Sequence, residues 1–239
     1  MITLLGPCIS VWVALTPRMT AHTAVRHAAV SLKMDPFDVP RPDPAILVAA
    51  KDGQQQRLWV GGISAGLVLS TSVLVAVLSA VEKALPEGWF SVAGNANAVP
   101  LGLIFAAIGS AHFAKKEVFL GIVPPRGTWG GLWQVPAPGM EDLRVSYEEY
   151  HTYWTGAAEI AGGLLLTASG FGLVPTAVQR FDAALLLLLC AAVTPANIYM
   201  FTHDAQMQGA PPLKYPDSHI VRGVLQVVLL ADFWKLAFH

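Results

Sequence analysis

A chain of 239 residues that is 54% hydrophobic and only 13% charged is too apolar for an ordinary water-soluble domain and takes the bilayer as its solvent. Its formal net charge is -1, with no Lys/Arg run interleaved with aromatics, which argues against nucleic acid as a partner. Cys8 and Cys190 lie far apart in apolar surroundings, so neither thiol-disulfide chemistry nor a cysteine-based metal site is expected.

Residues 1–34 contain Arg18, Arg26 and Lys33 and are rich in Ala, Ser and Thr, and the first acid is Asp35. That is the composition of an organelle-targeting segment. Residues 2–15 are apolar enough for a signal h-region, and 18–33 then read as a transit peptide, an order that suits a plastid reached through the secretory route. The thylakoid is therefore the first expectation and the mitochondrial inner membrane the second, with a plain presequence or an amphipathic anchor as the alternatives. Residues 35–57 form a polar, Pro-rich linker, in which Pro and Asp alternate over 35–44.

Residues 58–81 are uncharged and long enough to span a hydrocarbon core of about 30 Å. They carry Gly62-x-x-x-Gly66, a spacing compatible with close helix packing. Residues 82–98, with Pro86, Gly88 and Asn95, are expected to be a loop, and Trp89 and Phe90 suit the interfacial belt. A second helix is expected over 99–114, extending towards 120, with His112 near its end. Residues 121–146 are then a long interfacial loop, dense in Pro and Gly over 124–139 and holding Trp129 and Trp133. Loops of that length are uncommon without a use; docking onto a partner and anchoring to the membrane surface through the tryptophans are equally good readings.

A third helix is expected over 146–174, with Glu159 deep inside it between Gly156 and Gly162. A carboxylate there is costly unless paired or protonated. The fourth runs over 182–202 and contains Pro195 and Asn197; the carbonyl freed by the proline and the asparagine amide need partners from neighbouring helices. The fifth covers 218–238, with Arg222, Gln226 and Asp232.

Five spans put Arg41, Lys51, Arg57, Lys115, Lys116, Arg126, Arg144 and Lys214 on one side, against Lys83, Arg180 and Lys235 on the other. The positive-inside rule makes the first side cytoplasmic, matrix or stromal. At a rise of 1.5 Å per residue, depths below that face are about 13 Å for Glu159, 6 Å for Arg222, 12 Å for Gln226, 10 Å for His112 and 8 Å for Asn197. Asp232 stands apart at about 21 Å. If these side chains also face inward, Glu159 and Arg222 can pair, with His112, Asn197 and Gln226 as hydrogen-bonding neighbours. Such a cluster is either polar glue that fixes helix register or a small cavity open to the positive face.

Three blocks, Ile108-Gly109-Ser110-Ala111-His112-Phe113, Gly156-Ala157-Ala158-Glu159-Ile160-Ala161-Gly162-Gly163 and Pro195-Ala196-Asn197-Ile198-Tyr199-Met200, resemble in that order the blocks of small DoxX-like integral membrane proteins. The terminal helix with Arg222 and Gln226 resembles the family's last helix, so the resemblance covers about residues 100–238. It implies an all-α integral membrane protein with a four-helix transmembrane bundle over 99–238, to which the helix at 58–81 is an addition. It also implies association with redox complexes such as quinone-linked oxidases.

The function expected is thus a non-catalytic or redox-associated subunit of a larger membrane complex. His112, Glu159, Asn197, Arg222 and Gln226 would form its cofactor-binding cluster, contacting a quinone-like headgroup through donors and a protonatable group. The alternative is a chlorophyll-binding accessory subunit of a photosynthetic complex, with His112, His151 or His203 as axial ligand; haem ranks lower. A small-solute transporter ranks below both, because the polar residues gather in one half of the span. No dinucleotide fingerprint, P-loop or H-E-x-x-H points to an autonomous enzyme, and the partners expected are the bilayer and other subunits.

Overall fold

Asp52 opens the first long helix. Its Oδ1 accepts from the backbone N–H groups of Gln54 and Gln55 at 3.0 and 2.9 Å, an N-cap that satisfies two of the free donors of a first turn. The helix, α1 (Gly53–Ala84), therefore starts five residues before the apolar run and takes in Gln54, Gln55 and Gln56. The computed structural model describes residues 39–238, and the targeting reading of 1–34 lies outside the described residues. Within the expected linker, two short 3-10 turns, Pro44–Ile46 and Val48–Ala50, precede the cap.

Residues 82–98 are not the expected loop. Only 85–88 separate α1 from α2 (Trp89–Ala114), which runs straight through Pro100. Pro and Asn signal turns when nothing else decides, but here tertiary partners decide. Asn95 Oδ1 accepts from Gln179 Nε2 at 2.9 Å, and Asn97 Nδ2 donates to Asp232 Oδ2 at 2.7 Å.

The connection after α2 is punctuated by three single turns, α3 (Glu117–Leu120), α4 (Thr128–Gly131) and α5 (Met140–Leu143). The third long helix, α6 (Tyr147–Gly170), starts with a capping box: Glu149 N–H donates to Ser146 Oγ at 3.1 Å, and Ser146 N–H to Glu149 Oε2 at 3.0 Å. Then come α7 (Thr176–His203), which starts earlier than expected, and α8 (Asp217–Phe238).

The described residues are helical, without strands, and α1, α2 and α7 are long and apolar enough to cross a membrane. On α1, Leu58, Val68, Leu69, Val73 and Val77 are exposed, a surface that lipid suits and water does not.

Glycines set the packing of α2 on α6. Gly102 and Gly109 are seven apart, as are Gly156, Gly163 and Gly170, so the two rows stay face to face along the pair. A Cβ on Gly102 would lie 2.4 Å from the Gly163 carbonyl oxygen, and one on Gly163 would lie 2.5 Å from that of Gly102. Only hydrogen fits there. By contrast, a Cβ on Gly62 or Gly66 meets nothing within 4 Å, so the G-x-x-x-G of α1 is not a packing seam among the described residues. The core between α2, α6, α7 and α8 is apolar, built on Phe105, Leu166, Leu186 and Phe233, with the two phenylalanines edge to face at 5.3 Å.

Candidate functional site

The asparagine of α7 finds its partners on α8; the carbonyl that Pro195 frees is that of Ala191, on the preceding turn. Gln226 Nε2 donates to the Cys190 carbonyl and to Thr194 Oγ1, both at 2.9 Å; its Oε1 accepts from Asn197 Nδ2 at 3.0 Å. Arg222 Nη2 donates to Asn197 Oδ1 at 2.5 Å. Gln226 is buried and uses its whole amide, beside the break that Pro195 makes in the helical ladder. Each bond crosses from one helix to the other, so the network fixes the register of α7 against α8.

The other two expected residues meet elsewhere. His112 Nδ1 lies 3.0 Å from the Ile108 carbonyl oxygen and 3.2 Å from Glu159 Oε2. A carbonyl only accepts, so Nδ1 carries the proton and Nε2 is left as acceptor. The imidazole stacks on Phe119 at 3.7 Å and is held against Gly156, whose Cβ position is 2.5 Å from His112 Cβ. Glu159 Oε2 is buried without a hydrogen bond of its own.

The five residues therefore divide into His112–Glu159 between α2 and α6, and Asn197–Arg222–Gln226 between α7 and α8. The expected Glu159–Arg222 ion pair does not form, because Glu159 takes His112 and Arg222 takes Asn197. Depth along a helix was readable from residue number; direction around the helix was not.

Asp232 is not isolated in the other half. Besides Asn97, its end of the molecule holds Asn95–Gln179 and a pair between Lys235 Nζ and Glu82 Oε2. Lys235 is only 4% exposed, donates also to Ser79 Oγ at 3.3 Å and lies over the Phe90 ring at 4.8 Å. It thereby ties the last turn of α1 to α8. Asp182 is buried at this end too, beside Gly162.

The connection between α2 and α6 folds back onto its own chain. Trp129, at φ 56 and ψ 48, is 2% exposed and donates its indole N–H to Thr202 Oγ1 at 2.9 Å. Gly130 abuts Gly53, with a Cβ position 2.5 Å from Gly53 Cα, and its carbonyl accepts from Arg57 Nη1 at 2.9 Å. Of the two tryptophans expected to face a partner or the membrane surface, Trp129 is thus a buried clamp joining α1 to α7. Arg41 ties down the next connection through Asp204 Oδ2 at 2.7 Å, and Lys116 Nζ reaches Glu149 Oε1 at 2.5 Å, a bond that holds its ammonium above the ordinary pKa.

His151 Nδ1 accepts from Trp154 Nε1 at 3.0 Å, and His203 Nδ1 lies 2.8 Å from Thr202 Oγ1. Both sit in local bonds on the first and last turns of their helices. Among the described residues no group of three or more His, Cys, Asp or Glu is placed to hold a metal ion. Sequence reasoning missed Thr202 and Asp182, and the buried contacts of Trp129 and Lys235. A lysine three residues from the end of an apolar helix reads as interfacial, and nothing in its neighbourhood announces Glu82 from 153 residues away.

The described residues are helical, and three of their helices are long and apolar enough to cross a membrane, which is consistent with the class of membrane proteins. Within that class, the chain belongs to the family described as a domain of unknown function (DUF8561), whose model matches residues 101–237. No curated protein and no solved structure matches it.

Proposed function

We propose that this protein is a non-catalytic or redox-associated integral membrane subunit of a larger complex. Its intramembrane polar groups hold helices in register, and His112–Glu159 contacts a quinone-like headgroup. The observation that carries this reading is the division of labour between the two polar groups. Asn197, Gln226 and Thr194 are engaged by each other, as structural glue should be, whereas Glu159 keeps a buried carboxylate oxygen without a hydrogen bond beside an imidazole. A protonatable carboxyl, which donates a hydrogen bond in its protonated form, is what a quinone carbonyl needs.

A DoxX-like four-helix bundle of α2, α6, α7 and α8, with α1 added, is part of the same proposal. In its favour, α2 packs on α6, α6 on α7 and α7 on α8, and the family match begins inside α2, leaving α1 outside. Five spans follow if α6 and α8, of 24 and 22 residues, cross with the other three, as lengths above about 20 residues permit. The end carrying Arg57, Lys116 and Arg126 then faces the stroma or matrix. We place the protein in an organelle membrane, the thylakoid ahead of the mitochondrial inner membrane; mass spectrometry of the mature amino terminus tests this, and an unprocessed Met1 would contradict it.

The functional test is purification in mild detergent with natural partners, followed by quinone extraction and an absorption spectrum. Bound quinone that is lost in Glu159→Gln, with assembly intact, supports the proposal. A colourless, quinone-free preparation sinks it, and a chlorophyll spectrum would transfer the site to pigment binding.

A further inference from the structure

Between α1, α7 and α8, beneath Trp129 and Trp133, runs a groove of about 320 Å³. Its walls are apolar, with Val60, Leu67 and Ile198 among them, and the hydroxyls of Ser64 and Thr194 as the polar exceptions. That volume is at the low end of ligand sites, about 300–1,000 Å³, and smaller than a single turn of another helix, about 10 Å across with a pitch of about 5.4 Å. It suits one slender chain.

A charge stands one helical turn before the groove's lining begins on α1, at Arg57. Arg57, Val60, Ser64 and Leu67 follow at three- and four-residue spacing, so they lie on one face of α1. The guanidinium of Arg57 is at the start of that row, exposed, and bonded to the carbonyl of Gly130, the neighbour of the tryptophan that roofs the groove. One of its five N–H groups is used there; the others are free to meet an anion, in the planar fork geometry that phosphate favours. From Arg57 to Leu67 the helix descends about 15 Å, from headgroup depth into hydrocarbon.

A cation at the interface followed by a chain-wide apolar channel matches one molecule of the bilayer. We propose that this groove is a binding site for an anionic phospholipid, its phosphate on Arg57 and one acyl chain along α1 under Trp133. A neutral isoprenoid would fill the channel but would have no use for Arg57. The proposal needs only that the protein resides in a membrane, and it stands or falls separately from the quinone contact at Glu159.

Native mass spectrometry of the full chain, purified in mild detergent and delipidated, tests it by titration with phosphatidylglycerol and phosphatidylcholine of identical acyl chains. Phosphatidylglycerol should be retained at about fivefold lower concentration, the effect of one cation near a lipid headgroup. Arg57→Gln should erase that preference while Arg57→Lys keeps part of it, and Ser64→Phe, which fills the channel, should weaken both lipids. Equal retention by the unmodified chain, or a preference that survives Arg57→Gln, overturns the assignment. So does a co-purified isoprenoid that excess phosphatidylglycerol fails to displace. Should Ser64→Phe not fold, short-chain phosphatidylglycerol on the unmodified protein reads the same contact: retention must drop with chain length, and undiminished retention refutes the acyl channel.

Discussion

Gly109 stands directly against Glu159: a Cβ on the glycine would lie 2.8 Å from the glutamate Cβ and 2.6 Å from the Gly156 carbonyl oxygen. The buried carboxylate is thus held by the same close approach that joins α2 to α6, and the seam and the site cannot be altered separately. Backbone on the far side of the contact leaves no flexible atom to yield. Gly109→Ala should therefore cost about 1–3 kcal/mol from overpacking, outweighing the gain of up to about 1 kcal/mol that alanine brings to a helix interior. Gly62→Ala on α1, where a Cβ meets nothing within 4 Å, should be neutral or stabilising. Unfolding of the two variants in detergent, compared side by side, checks both signs.

The Trp129–Thr202 clamp gives a graded series. Trp129→Phe keeps most of the buried surface and removes one hydrogen bond, a loss of about 1 kcal/mol. Trp129→Ala also opens a cavity, for about 3–5 kcal/mol. The alanine variant should become sensitive to proteolysis between α2 and α6, because the turn holding Gly130 on Gly53 loses its anchor. If the tryptophan were an exterior membrane anchor, both variants would unfold like the parent, and limited proteolysis with thermal unfolding separates the two cases.

The α7–α8 network invites a double-mutant cycle. Asn197 and Gln226 are joined by one hydrogen bond, and coupling between polar side chains of membrane helices averages about 0.6 kcal/mol, with a maximum near 1.7. Since Gln226 also holds Thr194 and the Cys190 carbonyl, Gln226→Ala should cost more than Asn197→Ala. A coupling indistinguishable from zero would show that the two amides do not meet.

Much of this was readable from residue types. The uncharged run of α1 and the proline in α7 helped to locate long helices, and the need of Asn197 for a partner on another helix was a matter of solvation. Direction around each helix was not readable, which is why His112–Glu159 and Asn197–Arg222 came out as one cluster. Nor was the helical state of residues 89–98: Asn95, Asn97 and Pro100 are turn formers by propensity, and they were overruled by Gln179 and Asp232, more than 80 residues further along the chain. The tryptophan loop misled for the same reason, since Thr202 is 73 residues from Trp129.

Lys235 is the place where that distant chemistry carries the largest electrostatic stake. Its side chain is 3% exposed while that of Glu82 is 35% exposed, so the ammonium is desolvated and its partner is partly hydrated. A surface pair contributes about 0–1 kcal/mol and breaking a fully buried one costs about 3–5; the asymmetric burial puts Glu82→Gln between them, at about 1–3 kcal/mol. The loss should come from stranding Lys235 rather than from removing the glutamate. Adding Lys235→Met to Glu82→Gln should then restore most of the stability, since methionine fills similar space beside Phe90 without a charge. Unfolding of both single variants and the double variant in detergent reads the cycle. A double variant as unstable as the sum of the singles would mean that Glu82 and Lys235 are not coupled and that relief of a stranded lysine is not what governs the loss.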